Sequence, residues 1–167
     1  MGANLETRQH VVKVATSPPR SPAGDAFAAL AIRVMMTAGY LIAAGDALTK
    51  PLGQSSARWQ VLAAAAQGTL SVAQIARALG VTRQAVQRLS DLLEADGLAR
   101  YAENPAHQRA KLLVLTSKGR EILDAIRARQ ALWANALGAE FTEADLVKTR
   151  EVIDKALALL KERNPDL

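Results

Sequence analysis

Hydrophobic residues recur along this chain first at helical spacing, then briefly at alternate positions, then at helical spacing again. Between 24 and 49, Phe27, Leu30, Ala31, Val34, Ala38, Leu41, Ile42 and Leu48 repeat with the helical period, and Met35, Tyr40, Ala43 and Ala44 widen the apolar face. Pro51 and Gly53 close this segment. Ser55 is placed to cap a second helix over 56–67, with Trp59, Leu62, Ala63 and Ala66 as its inner stripe and Gly68 as its stop. Ser71-Val72-Ala73-Gln74 reads as a capping box that opens a third helix ending at Leu79. After the turn at Gly80, Thr82 caps a fourth helix over 83–96 that turns Val86, Leu89 and Leu93 inward, and Gly97 ends it.

The period then changes. Residues 98–101 and 111–116 read as two short strands around Glu103-Asn104-Pro105-Ala106-His107-Gln108-Arg109. Thr116 or Ser117 caps a fifth helix over 118–137 carrying Ile122, Ile126 and Trp133, which Gly138 breaks. Thr142-Glu143-Ala144-Asp145 is a second capping box, opening a last helix over 143–162 with Leu146, Ile153, Leu157 and Leu160. The first and last helices carry more apolar surface than one small lobe covers, which argues for a second copy of the chain. Residues 1–22 form no periodic element and end in Ser17-Pro18-Pro19-Arg20-Ser21-Pro22. They read as a flexible tail, either a solvated extension or an arm that touches phosphates.

Composition narrows the function. The chain has 167 residues, half of them apolar and 22% charged, as expected for one soluble domain. It has no cysteine, which excludes disulfides, thiolate metal sites and a thiol redox switch within the chain. Its two histidines, His10 and His107, lie far apart, so neither a metal nor another cofactor is expected. The richest apolar stretch, Phe27–Leu48, is interrupted by Arg33 and Asp46, so no membrane span is expected. The basic N-terminus lacks the apolar core of a signal peptide, and a cytoplasmic location follows as the expectation. Net charge is +5. Gly53–Thr116 holds seven basic residues against four acidic ones, whereas the remainder after Thr116 is balanced. The middle of the chain is thus the part suited to a polyanion.

Two helices joined at a glycine make a helix-turn-helix, Ser71–Gly80 and then Val81–Asp96. With Val86, Leu89 and Leu93 inward, the second helix turns Thr82, Arg83, Gln84, Gln87, Arg88 and Asp91 away from the core. Arginine and glutamine pair with guanine and adenine edges, and base contacts come from the start of such a helix. The following hairpin has Arg109 at its tip, Lys111 nearby and Arg100 at its base. Such a loop enters a minor groove or meets phosphates; the competing reading is a surface turn whose charges aid solubility.

These segments resemble the MarR family of multiple-antibiotic-resistance regulators. The resemblance is carried by Ser55-Ser56-Ala57-Arg58-Trp59-Gln60-Val61-Leu62, by the run from Leu70 to Leu89, and by Gly97-Leu98-Ala99-Arg100, Asn104-Pro105 and Leu113-Val114-Leu115-Thr116-Ser117-Lys118-Gly119-Arg120. It covers about 24–162. It implies a mainly α winged helix-turn-helix with a small β-hairpin wing, in which 53–116 form the DNA-binding lobe and 23–52 and 117–163 form dimerisation helices. It implies a homodimer on double-stranded DNA with a palindromic operator, usually repression, and often release by a small aromatic or phenolic effector. The DNA-binding residues it points to are Ser71, Thr82, Arg83, Gln84, Gln87, Arg88, Arg100, Arg109 and Lys111.

In one place the chain departs from the family. The family's wing carries an acid two residues before the arginine, but here the run is His107-Gln108-Arg109, with the arginine kept and the acid missing. His107 either adds positive charge below about pH 6.5 or is simply a solvent-exposed residue. An effector site would be lined by Arg33, Tyr40 and Trp59, with Arg33 meeting a carboxylate; alternatively Trp59 is core and Arg33 surface. No phosphate loop, nucleophile–base pair or metal motif is present, so an enzyme is not expected. The alternatives left open are a winged-helix protein-interaction module and a DNA binder without ligand response.

Overall fold

The computed structural model describes residues 18–107 and 109–164. The expected tail up to Ser17, and Gln108 of the hairpin, lie outside the described residues. Among the described residues, six helices and one hairpin follow in the order α1 (Pro22–Thr49), α2 (Ser56–Ala65), α3 (Val72–Leu79), α4 (Arg83–Ala95), β1 (Ala99–Ala102), β2 (Leu112–Leu115), α5 (Ser117–Gly138) and α6 (Glu143–Arg163), with a 3-10 turn at Lys50–Leu52. This is the mainly helical architecture with a small wing that the sequence predicts. The chain divides into two compact units, Met1–Ala38 and Gly39–Leu167, with the boundary inside α1.

Helix starts follow their caps. The hydroxyls of Ser55, Thr82, Thr116 and Thr142 each accept a hydrogen bond from the backbone N–H three residues on. Thr116, not Ser117, therefore caps α5. Pro22 is already helical, occupying the first position, where its missing N–H costs nothing.

Within Gly39–Leu167 the core is formed by Val61, Leu62, Ala65, Ile75, Val86, Leu93, Leu113, Leu123 and Ile126. The stripe expected on α2 is corrected. Leu62 is buried, but its companions are Val61, Ala64 and Ala65; Trp59 and Ala63 are half-buried and Ala66 is exposed. The reason is that α2 is surrounded by α3, α4, α5 and β2, so it buries a broad face rather than one seam. In α4, Val86 and Leu93 are buried and Leu89 is half-buried.

The strands run one residue later than the alternation suggests at the start, and β2 is shorter at both ends. They pair antiparallel from Ala99 opposite Leu115 to Ala102 opposite Leu112. Leu98, expected in the strand, is a buried residue just before it. A third edge joins the wing: Ser71 bridges Leu112, and Leu113 N–H donates to Leu70 O at 3.0 Å. The hairpin is thereby fixed to the start of α3. At its base, Thr116 Oγ1 donates to Gly97 O at 2.7 Å.

Helix α1 with its 3-10 turn, Pro22–Leu52, is long and apolar enough to cross a membrane by length and composition. The sequence expectation of no such segment rests on Arg33 and Asp46, but the four charged residues of Pro22–Leu52 (Asp25, Arg33, Asp46 and Lys50) are spaced widely enough to leave a sufficiently apolar window. In α6 no residue is buried.

Candidate nucleic-acid interface

The turn between α3 and α4 is set by Gly80, at φ +66°, which ends α3 in the left-handed conformation. Val81 N–H reaches back to Ala76 O at 3.1 Å, and Thr82 Oγ1 then accepts Ala85 N–H at 3.2 Å to start α4. This aims the first turn of α4 outward, with Thr82, Arg83, Gln84 and Ala85 all exposed. At the start of α3, Gln74 Oε1 accepts both the backbone N–H and the hydroxyl of Ser71, each at 2.8 Å.

Five of the expected DNA-binding residues come together. Ser71, Arg83, Gln87, Arg109 and Lys111 line one cleft of about 380 Å³, with Val72, Ala73, Tyr101 and Ala110. Gln84 and Arg88 lie on an adjoining shallow face of α4 with Gln87, Asp91 and Leu92. Arg100 is exposed on β1. Strand alternation puts it on the opposite face of the hairpin from Tyr101. Ser71 is nearly buried, and its hydroxyl is engaged by Gln74.

Arg83, Arg88, Arg100, Arg109 and Lys111 are all exposed, and among the described residues none is in an ion pair. Arg58, in the same basic segment, is instead paired with Asp96, tying the start of α2 to the end of α4. Four of these cations, Arg83, Arg88, Arg109 and Lys111, lie on the surface formed by α3, α4 and the wing, without an ion-pair partner among the described residues. The arginine guanidinium groups can hold phosphates or guanine edges bidentately, and the Lys111 ammonium can meet a phosphate as a point charge.

Sequence reasoning missed two supports of this surface. Tyr101 links the wing to α4: its hydroxyl donates to Asp91 Oδ1 at 2.7 Å and accepts from Gln87 Nε2 at 2.7 Å, while Gln87 Nε2 also donates to Asp91 Oδ1 at 2.8 Å. Burial, and then the hydrogen bond to and the charge of Asp91, push the Tyr101 phenol up to about 12. The only available signal was the strand alternation, which turns Tyr101 to the side opposite Arg100. The second support is Asn104. Its Nδ2 donates to Ala110 O at 2.8 Å and its Oδ1 accepts Ala106 N–H at 3.1 Å, spanning the turn where the steadying acid is missing. His107 is exposed in that turn, with its N–H donating to Asn104 O at 3.0 Å.

Of the residues expected around an effector, Tyr40 and Trp59 lie in Gly39–Leu167, and of these two Trp59 lines a cavity. Trp59 lines an apolar cavity of about 540 Å³ with Leu41, Ile42, Ala63, Leu79 and Trp133, among others. Tyr40 is 76% exposed and is not among the lining residues. Arg33 is exposed in the preceding unit. Trp133, which the sequence reading assigned only to the apolar face of α5, supplies the second indole.

A basic helix-turn-helix with an adjoining two-stranded wing defines a winged-helix DNA-binding protein. Comparison with known proteins agrees. The MarR family model matches residues 52–110. A protein of Mycobacterium tuberculosis is 39% identical over 141 residues, covering 84% of this chain and 99% of that one. The transcriptional activatory protein BadR of Rhodopseudomonas palustris is 27% identical over 138 residues, 79% of this chain and 78% of BadR. Among solved structures, the S. aureus MepR–DNA complex superposes with TM-score 0.68 at 19% identity, covering 77% of this chain and 96% of that one. CouR from Rhodococcus jostii bound to p-coumaroyl-CoA superposes with TM-score 0.70 at 20% identity, covering 76% and 90%. The chain belongs to the MarR family, whose members are DNA-binding transcription regulators and not enzymes.

Proposed function

We propose that this protein is a repressor that binds a palindromic operator as a homodimer in the cytoplasm and is released by a small aromatic or phenolic ligand. The observation that carries the DNA side of this reading is the clustering of Arg83, Arg109 and Lys111 with Gln87 in one cleft, free of ion pairs among the described residues. In this reading the start of α4 enters the major groove. Gln84 and Gln87 face base edges, Arg83 and Arg88 meet bases or phosphates, and Thr82 caps the helix that presents them. Arg109 reaches the minor groove, Lys111 and Arg100 meet phosphates, and Ser71 orders the start of α3 beside them.

The dimer reading is supported by apolar side chains left in solvent. These are Phe27, Ile32 and Met35 on the first part of α1, and Leu132, Phe141, Leu146 and Leu157 on α5, the following turn and α6. A two-fold pair places its two reading helices about one DNA turn apart, roughly 34–36 Å. The same association accounts for the apolarity of α1 without a membrane. The ligand reading is supported by the cavity between Trp59 and Trp133, whose lining suits a flat apolar molecule.

Gel-shift titration over a salt series tests the DNA reading. Affinity should fall steeply with salt, and Arg83→Ala should weaken operator binding by about 1–3 kcal/mol. Salt-independent binding to a protein partner, with no retardation of DNA, overturns it. Sedimentation of the free protein as a monomer at micromolar concentration overturns the dimer. The relative BadR is described as an activatory protein. Activation is therefore the second reading of outcome, and a promoter–reporter strain decides between the two by whether deletion of the gene raises or lowers expression.

A further inference from the structure

Gln87 sits on the outer side of α4, where its amide nitrogen, Asp91 Oδ1 and the Tyr101 hydroxyl close a triangle with sides of 2.8, 2.7 and 2.7 Å. The chemistry of these atoms sets the orientation of the amide. A carboxylate has no proton to offer, so the amide atom facing Asp91 has to be the NH2; the carbonyl oxygen there would place two acceptors in contact. The Tyr101 phenol gives its one proton to Asp91 and so accepts from Gln87. Its neutral form is favoured up to about pH 12, so this donation holds throughout the working range. The NH2 end of the Gln87 amide thus faces two acceptors of the protein itself, which stand 2.7 Å apart and engage its protons in bent hydrogen bonds. Its carbonyl oxygen is the end left for a ligand on a side chain that borders both the cationic cleft and the adjoining face of α4.

We propose that Gln87 reads DNA as an acceptor alone, selecting cytosine or adenine at its position, and that Asp91 and Tyr101 are the positioning residues that impose this preference. The inference rests on the reading of α4 as the helix in the major groove. A free glutamine is a donor–acceptor fork that fits the amino group and N7 of adenine together. The clamped glutamine offers one acceptor. Cytosine N4 and adenine N6 each donate to it, whereas guanine and thymine turn O6, N7 or O4 toward it, acceptor against acceptor. The clamp also joins the wing to α4, so the element that carries Arg109 and the element that reads bases share one hydrogen-bonded hinge.

In-vitro selection from a randomised DNA pool with the full chain tests this. The wild type should enrich cytosine and adenine about equally at one symmetry-related position, with guanine and thymine depleted, and Gln87→Ala should flatten that position alone. The double variant Asp91→Ala/Tyr101→Phe frees the amide, and its preference should narrow to adenine, roughly 5- to 150-fold over cytosine. A second measurement needs no altered protein. With 7-deazaadenine at that position, which lacks N7, wild-type affinity should change by less than about twofold, because no proton is offered to N7. Enrichment of adenine alone by the wild type, with loss on the 7-deaza substitution, overturns the proposal. So does an unchanged preference in a folded double variant, or a Gln87→Ala profile identical to wild type. A wild type that enriches no sequence overturns the DNA-reading assignment of α4 itself, an outcome distinct from enrichment without any position that depends on Gln87.

Discussion

Gly119 lies so close to Leu98 that a Cβ added there would stand 1.9 Å from the Leu98 carbonyl oxygen. The first turn of α5 therefore rests directly on the backbone at the base of the wing, just where Thr116 N–H bonds the same carbonyl at 3.1 Å. The obstacle is backbone, which cannot swing aside as a side chain would. Gly119→Ala should destabilise the fold by about 1–3 kcal/mol through forced separation of α5 from β1. Gly138, at the other end of α5, has nothing within 4 Å of an added Cβ. Gly138→Ala should instead stabilise by about 0.4–1 kcal/mol. Urea unfolding of both variants checks the pair, and equal stabilities would remove the close approach as a constraint.

The wing tip depends on Asn104 in this chain. The side chain bonds Ala110 O and Ala106 N–H and so holds the turn that carries Arg109. Asn104→Ala should cost about 1 kcal/mol of operator affinity, since the two bonds are partly exposed. The loss should vanish in an Arg109→Ala background, because Asn104 acts only by placing that guanidinium. A double-mutant cycle by gel shift reads this. Additive losses would show that Asn104 serves the fold generally and not the arginine.

Much of this surface was legible in the sequence because it is local. Ser55, Thr82 and Thr142 announce helix starts, and Gly80 announces a turn needing positive φ, all within four residues of their effect. What stayed hidden acts over distance. Gln87 and Tyr101 are 14 residues apart, so nothing in the periodicity of α4 shows that the glutamine's amide is already engaged. The buried face of α2 was misread for the same reason: a helix with four neighbouring elements has no single stripe. Trp133 joins Trp59 at the cavity only through the packing of α5 on the lobe, which spacing along one helix does not encode.

Tyr101 makes stability depend on alkaline pH. Its pKa is raised from 10.0 to about 12 in the fold, so below pH 10 both folded and unfolded chains hold the proton and stability is unaffected. Between pH 10 and 12 the unfolded chain releases it and the folded chain does not, so stability falls as pH rises through that window. Melting temperatures measured from pH 9 to 12 should drop more steeply for the wild type than for Tyr101→Phe. Parallel curves would show that the phenol is not held neutral by burial and Asp91.

The chain has two tryptophans, and both line the same apolar cavity. Tryptophan fluorescence, excited where Tyr40 and Tyr101 do not absorb, therefore reports occupancy of that cavity. Titration with a small aromatic acid or phenol that binds should quench or shift the emission. If the cavity is the effector site, the same concentrations should release operator DNA. Ala63, half-buried on its wall, offers a way to close it: Ala63→Phe should fill the space, abolish the fluorescence response and leave operator binding intact but insensitive to the compound. Because Ala63 is already in contact with the core, filling should cost about 1–3 kcal/mol of stability, so the melting temperature of the variant is measured alongside. A folded Ala63→Phe protein that still releases DNA on addition of the compound would place the effector elsewhere, and the cavity would then be a packing defect between α2 and α5 with no regulatory part.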